Sequence, residues 1–190
     1  MSITMDKHQL ITDHIRSLLQ LIGENPNREG LLDTPNRVAK MYEEVFAGVG
    51  IAPETALTTT FAEDYEGMVI VKDIDYYTFC EHHLIPFYGK AHIAYLPSGR
   101  VVGLSKFARL VELVSKRPQV QERMTQQIAD AVMNVLEPKG VIVTLDGIHL
   151  CMCARGVKKP GTSTVTTVKL GAFSEHASLV QEFEQALSRQ

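Results

Sequence analysis

The residues of this chain whose types and spacing invite chemistry are Cys80, His82, His83, His149 and Cys151. Cys80 and His83 are spaced Cys-x-x-His, which lets a tight turn aim a thiolate and an imidazole at one point. Cys151 lies far downstream, with His149 two residues before it. If that stretch is a strand, His149 and Cys151 share one face. Thiolate and imidazole together suit tetrahedral zinc. Three protein ligands leave one position for water, whose pKa a bound metal can lower to ~7. His82 and His149 adjoin these ligands, and an imidazole titrates close enough to neutrality to shuttle protons. Two other readings stand beside this one. The cysteines suit burial as small apolar groups. Alternatively Cys153, on the same expected strand face as Cys151, completes a closed structural site of Cys80, His83, Cys151 and Cys153.

The rest of the chain must position these groups. Its 190 residues suit one domain, or one domain with a short appended segment. A formal net charge of −3 gives no bulk attraction to nucleic acid or to a membrane surface, so neither is an expected partner. Any phosphate site must be a local cluster of basic residues. The stretch Met1–Asp6 has no basic n-region and no apolar h-region, so no signal peptide is expected. No apolar run approaches the ~20 residues of a membrane helix. An odd, small number of cysteines without a leader points to a reducing, cytoplasmic setting, and to metal binding or catalysis over disulfides.

Hydrophobic periodicity predicts two helices first. Leu10, Ile11, Ile15, Leu18, Leu19 and Ile22 recur at helical spacing, with Gly23 as C-cap. Asp33-Thr34-Pro35 then reads as an N-cap and first-turn proline, followed by Val38, Met41, Tyr42 and Val45 on one face. Residues 49–66 read as a connector. Strands are expected over Met68–Ile74 and Phe87–Leu96. Phe107, Val111 and Val114 mark a helix after Ser105, and Pro118 is expected to open another, with Val120, Met124, Ile128 and Val132 on one face. Val141–Cys153 and Thr162–Leu170 read as strands, and Leu179, Phe183 and Leu187 mark a last helix. The expected class is α+β, an antiparallel sheet with helices on one face, preceded by an N-terminal helical pair. The expected division is 1–65, helical segment and connector, and 66–190, catalytic domain. His8, His14, His92 and His176 show no partner pattern and read as surface or packing histidines.

Several motifs in register are similar to one family. Phe79-Cys80-Glu81-His82-His83 resembles the zinc-binding segment of GTP cyclohydrolase I, type IA. Gly103-Leu104-Ser105-Lys106, the run from Lys116 to Arg123, His149-Leu150-Cys151 and Arg155-Gly156 resemble further motifs of that family, as does the run from Glu29 to Tyr42. The resemblance extends from about Asn25 to Phe173.

That resemblance implies a tunnelling (T-) fold and a homodecamer with sites at subunit junctions. It implies hydrolysis of GTP at C8 with release of formate and formation of 7,8-dihydroneopterin triphosphate, the first step of tetrahydrofolate and pterin biosynthesis. Cys80, His83 and Cys151 resemble the Zn2+ ligands, and His82 and His149 the acid/base pair. Glu122 looks like the carboxylate that grips the guanine edge, with Gln121 lining that pocket. Ser105 resembles the hydroxyl near the ribose. Lys106, Arg109 and Arg155 look like the triphosphate clamp, with Arg37 joining from a neighbouring subunit. The chemistry agrees. A triphosphate needs several cations, and a buried carboxylate accepts the two N–H groups of guanine that adenine lacks. The rival readings are a non-catalytic pterin- or purine-binding protein with structural zinc, and a nitrile reductase with a cysteine nucleophile and nicotinamide.

Overall fold

A computed structural model describes residues 6–189. Met1–Met5, most of the stretch read for a leader, lies outside the described residues. The chain divides into two compact units, Met1–Ala47 and Gly48–Gln190.

The first unit is a helical hairpin. α1 spans Lys7–Leu21, opened by Asp6, whose carboxylate accepts the backbone N–H of His8. Gly23 follows it at φ +88°, the left-handed conformation that ends helices at little cost to glycine. α2 spans Thr34–Val45 with Pro35 in its first turn, as expected. His8 ties the two helices, one ring nitrogen on Glu43 at 3.0 Å and the other on Asn36 at 2.8 Å. α1 buries no residue, and Leu18, Leu21 and Ile22 are exposed.

The second unit is built on a five-stranded sheet. Its strands are β2 (Val69–Cys80), β3 (Pro86–Leu96), β5 (Pro118–Gln119), β6 (Gly140–His149) and β7 (Thr164–Gly171), in the order β5-β2-β3-β6-β7. All neighbours are antiparallel except the short β5–β2 pair. β1 (Thr60–Ala62) and β4 (Arg100–Val102) form a separate two-stranded ribbon. The stretch read as a connector belongs to this unit: it holds a 3-10 turn at Pro53–Ala56, a buried Leu57 and β1.

Alternation along the strands decides what covers each face. Ile93, Tyr95, Val141, Val143 and Leu145 share the main core with α3 (Ser105–Ser115) and α4 (Gln121–Leu136). α3 buries Phe107, Leu110, Val111 and Val114 there; α4 buries Met124, Ile128 and Val132. Ala94, Leu96 and Ile142 point the other way, toward a smaller core with Phe173 and Phe183. Those come from α6 (Ala172–Glu175) and α7 (Ala177–Ser188). The expected α+β class holds, with α3 and α4 on one face and α7 a smaller cover on the opposite one.

Two local expectations fail. Pro118 does not open a helix. It pairs with Phe79 in β5, and α4 starts at Gln121; proline has no N–H to donate and sits at the sheet edge, where none is needed. Val141–Cys153 is not one strand either. β6 ends at His149, opposite Phe87, because β3 begins only one residue earlier and offers no further partner. The chain then coils into one turn, α5 (Leu150–Cys153), closed by the Ala154 N–H on the Leu150 carbonyl at 2.9 Å. Cys151 therefore shares no strand face with His149 or Cys153.

His92 packs as expected of it, and does more. The β2–β3 ladder shifts register between Val71 and Ile74, with Asp73 at φ 62°. The Asp73 backbone N–H donates to His92 Nδ1 at 3.2 Å, which needs that nitrogen unprotonated. Burial holds the His92 pKa below its ordinary value of 6.5, against the opposing pull of Asp73 and Asp146. The unfolded chain therefore takes up this proton first as pH falls. The neutral-imidazole contribution is complete above about pH 6.5 and is lost as pH drops below it. Urea midpoints taken at pH 7.5 and 5.5 should show a smaller acid loss in His92→Asn, which keeps an acceptor but does not titrate.

Candidate active site

One end of the sheet gathers the chemistry. The turn between β2 and β3 is tied by Cys80 itself. Its N–H donates to the Ile85 carbonyl at 2.9 Å, and its carbonyl accepts from His83 at 3.3 Å and Leu84 at 2.8 Å. Leu84 takes a left-handed φ of 50° to close it. The adjacent Glu81 N–H donates to the Gln119 carbonyl of β5 at 2.9 Å. The Glu81 carboxylate pairs with Arg123 of α4, which holds it below the usual carboxylate range. The end of β6 and α5 arrive beside this turn.

The result is a three-donor cluster. The ligating atoms of Cys80, His83 and Cys151 all lie within 4.8 Å of one another. Tetrahedral zinc with bonds of roughly 2.0–2.3 Å spaces its ligands by roughly 3.5 Å, so two thiols and an imidazole at these separations fit it. Cys153 is not in the cluster; its thiol lies 3.7 Å from the Lys159 carbonyl. The closed four-ligand site does not form. Burial pushes the Cys151 thiol pKa up, and the neighbouring Cys80 adds to it. A metal ion reverses that preference, since a coordinating thiol is deprotonated outright.

A cleft of about 240 Å³ opens next to the cluster. His82, His149, Gln121 and Glu122 line it together with the three donors. His149 is half-buried and lies flat on Phe87, with ring centroids 4.3 Å apart and planes 9° apart. Burial lowers its pKa, opposed by the Glu122 carboxylate. His82 Nδ1 lies 3.7 Å from Cys80 Sγ, and its ring is exposed. Gln121 is 1 % exposed and forms the floor. Its Oε1 meets His149 Nε2 at 2.9 Å. A Cβ at Gly147 would collide with Gln121 Oε1 and the Tyr76 hydroxyl, so only glycine lets that amide approach β6.

The expected site residues divide into those brought together and those left apart. Cys80, His82, His83, Gln121, Glu122, His149 and Cys151 share the cleft. Glu122 is exposed, not buried as expected, because it sits in the first turn of α4 on the open side. Arg155 joins from the α5–β7 loop: its Nη1 donates to His83 Nε2 at 2.9 Å. Ser105, Lys106 and Arg109 lie in α3 and do not line this cleft; Lys106 donates to Thr58 Oγ1 at 3.1 Å. Arg37 belongs to the helical hairpin, where it pairs with Asp33 at 3.4 Å. Phe87, Thr164 and Thr166 went unnoticed in the sequence. They reach the site through strand pairing, and an isolated Phe or Thr in a strand carries no signal of that.

Comparison with known proteins agrees with the motifs. The family model described as GTP cyclohydrolase I matches residues 11–188. The chain is 58% identical over 183 residues to the GTP cyclohydrolase 1 of Streptococcus pyogenes serotype M1, covering 96% of this chain and 93% of that protein. Identity to the protein of the same name from S. pyogenes serotype M49 (strain NZ131) is 57% over the same length. Among solved structures, the archaeosine synthase QueF-Like in its apo form aligns with a TM-score of 0.46 at 15% identity, covering 58% of this chain and 98% of that one. A family match over nearly the whole chain, with relatives this similar along their length, means that this protein belongs to the GTP cyclohydrolase I family.

Proposed function

We propose that this chain is a zinc-dependent cyclohydrolase that opens the imidazole ring of GTP at C8, releases formate and forms 7,8-dihydroneopterin triphosphate, the entry step to pterin and folate compounds. The observation that carries this reading is the Cys80–His83–Cys151 cluster beside a cleft lined by His149 and Glu122, in a chain of this family. Cys80, His83 and Cys151 would hold zinc, whose Lewis acidity would make water a nucleophile near neutral pH.

The chain's own groups bind and move protons. Glu122 accepts the guanine N1–H and N2–H, and Gln121 lines the same pocket. His149 delivers a proton to N7, which makes C8 electrophilic. Two hydrolytic steps at C8 release formate. His82 and Ser105 serve the ribose opening and rearrangement that precede closure of the new ring. Lys106, Arg109, Arg155 and Arg37 counter the triphosphate.

Lys106, Arg109 and Ser105 do not line the cleft of their own chain, so in this reading a second copy delivers them. Two features support assembly. β7 is an eight-residue edge strand, with Val165 60% exposed, which invites pairing with another sheet. Leu18, Leu21 and Ile22 of α1 are apolar and uncovered. A homodecamer with sites at subunit junctions meets both needs. A cytoplasmic location completes the reading. Among the described residues no helix is long and apolar enough to cross a membrane.

Purified protein given GTP should release formate and a fluorescent pterin together; chelation should abolish both, and added zinc should restore them. No turnover from a zinc-loaded, assembled oligomer would refute the reading. Metal analysis of cysteine variants separates the open site from a closed one. Cys80→Ser and Cys151→Ser should lose zinc, and with it at least about a hundredfold in turnover, beyond what partners outside the ligand set usually cost. Cys153→Ser should keep both.

A further inference from the structure

We propose that Thr166, acting through Gln121, is a positioning residue that locks neutral His149 with its proton on Nε2 and its lone pair on Nδ1. The proposal rests on the cyclohydrolase reading only for the role of His149; the hydrogen-bond geometry stands without it.

The direction of every bond in the network can be assigned. The Gln121 amide nitrogen faces three oxygens: the Leu145 carbonyl at 3.1 Å, the Thr164 carbonyl at 2.7 Å and Thr166 Oγ1 at 3.2 Å. Carbonyls only accept, so the –NH₂ end of Gln121 must point at them. A flipped amide would set its oxygen against two carbonyl oxygens in a buried place, with nothing to donate. Gln121 Oε1 is therefore the atom facing His149 Nε2, and an amide oxygen only accepts. His149 must donate there, so Nε2 carries the proton.

Thr166 reinforces the same direction. The Thr125 hydroxyl donates to the Gln121 carbonyl at 2.7 Å, which spends its only hydrogen. The 2.6 Å contact between the Thr125 and Thr166 hydroxyls must then run from Thr166 to Thr125. Thr166 has thereby spent its own hydrogen and can only accept from Gln121. The loop runs Gln121 Nε2–H to Thr166, Thr166 to Thr125, and Thr125 to the Gln121 backbone, closed on one residue. Thr125 is fully buried and Gln121 nearly so, so water does not compete for these bonds. No hydrogen bond among the described residues occupies His149 Nδ1. The Nδ1 lone pair is thereby left facing no partner among those residues.

Two readouts test this. Protein labelled with ¹⁵N-histidine, assigned against His149→Gln, should give for His149 the ring pattern of the Nε2–H tautomer at a pH where the ring is neutral. This is read whether or not GTP turns over, so it fails separately from the cyclohydrolase reading. Thr166→Val keeps the shape and removes the hydroxyl. Measured in the zinc-loaded oligomer, its kcat should fall by about 5- to 20-fold at unchanged KM, a fraction of the roughly 10²–10⁴-fold that a positioned proton donor supplies. Thr166→Ser should restore kcat to within about twofold, since its hydroxyl makes the same bonds. An Nδ1–H pattern in the unmodified protein overturns the proposal. So does an unchanged kcat in Thr166→Val, or a Thr166→Ser no better than Thr166→Val.

Discussion

The register between β3 and β6 is the constraint on which the site depends. Ten consecutive residue pairs, from Phe87 opposite His149 to Leu96 opposite Gly140, run without a shift. Side chains alternate along a strand, so a slip of one residue would turn every one of them to the other face. His149 would lose its stack on Phe87 and its bond to Gln121, and Cys151 would swing away from Cys80 and His83. The buried alternation of Ile93, Tyr95, Val141 and Val143 under α3 and α4 makes such a slip costly. The main core thus holds the geometry of the cleft by holding the pairing. Gly89 and Gly147 face each other within that ladder, and their missing side chains leave room for the crossing backbone and the Gln121 amide.

Around that frame the site places groups where water alone would not keep them. Two thiols lie close together, and burial pushes that of Cys151 toward its neutral form. An imidazole is half-buried against an aromatic ring, which disfavours its cation. Arg155 donates to His83, so one imidazole nitrogen of the ligand set is spoken for until a metal competes for the ring. These preferences lean one way: a divalent cation would relieve the Cys151 thiol, and burial disfavours a proton on His149. The exposed Glu122 lines the cleft, and Arg155, also exposed, reaches it only through its bond to His83.

The chain also carries surfaces that a single copy leaves unfinished. The apolar residues of α1 and the unpaired edge of β7 are uncovered, while the other sheet edge, β5, is two residues long and begins with proline. A short proline edge resists pairing and a long β-branched edge invites it. The cationic residues of α3 stand away from the cleft of their own chain. Surface and site both support the proposed assembly from neighbouring copies.

Much of this was legible in the sequence. The Cys-x-x-His spacing, the histidine two residues before Cys151 and the family motifs named residues that do meet at the cleft, because a tight turn needs only local geometry to bring Cys80 and His83 together. The α+β class followed from periodicity, as apolar spacing sets which face of each element is buried. The strand reading of Val141–Cys153 failed because periodicity cannot say where a partner strand stops; β6 ends at His149 only because β3 starts at Pro86. Pro118 misled for the same reason, since an edge position is a property of the sheet and not of the residue. Exclusion of Cys153 from the donor cluster, the exposure of Glu122, the stack of Phe87 on His149 and the Thr166–Gln121 loop were decided by tertiary structure alone. Each depends on residues far apart in the chain whose distance is set by strand register and helix packing, and no local pattern of residue types encodes that distance.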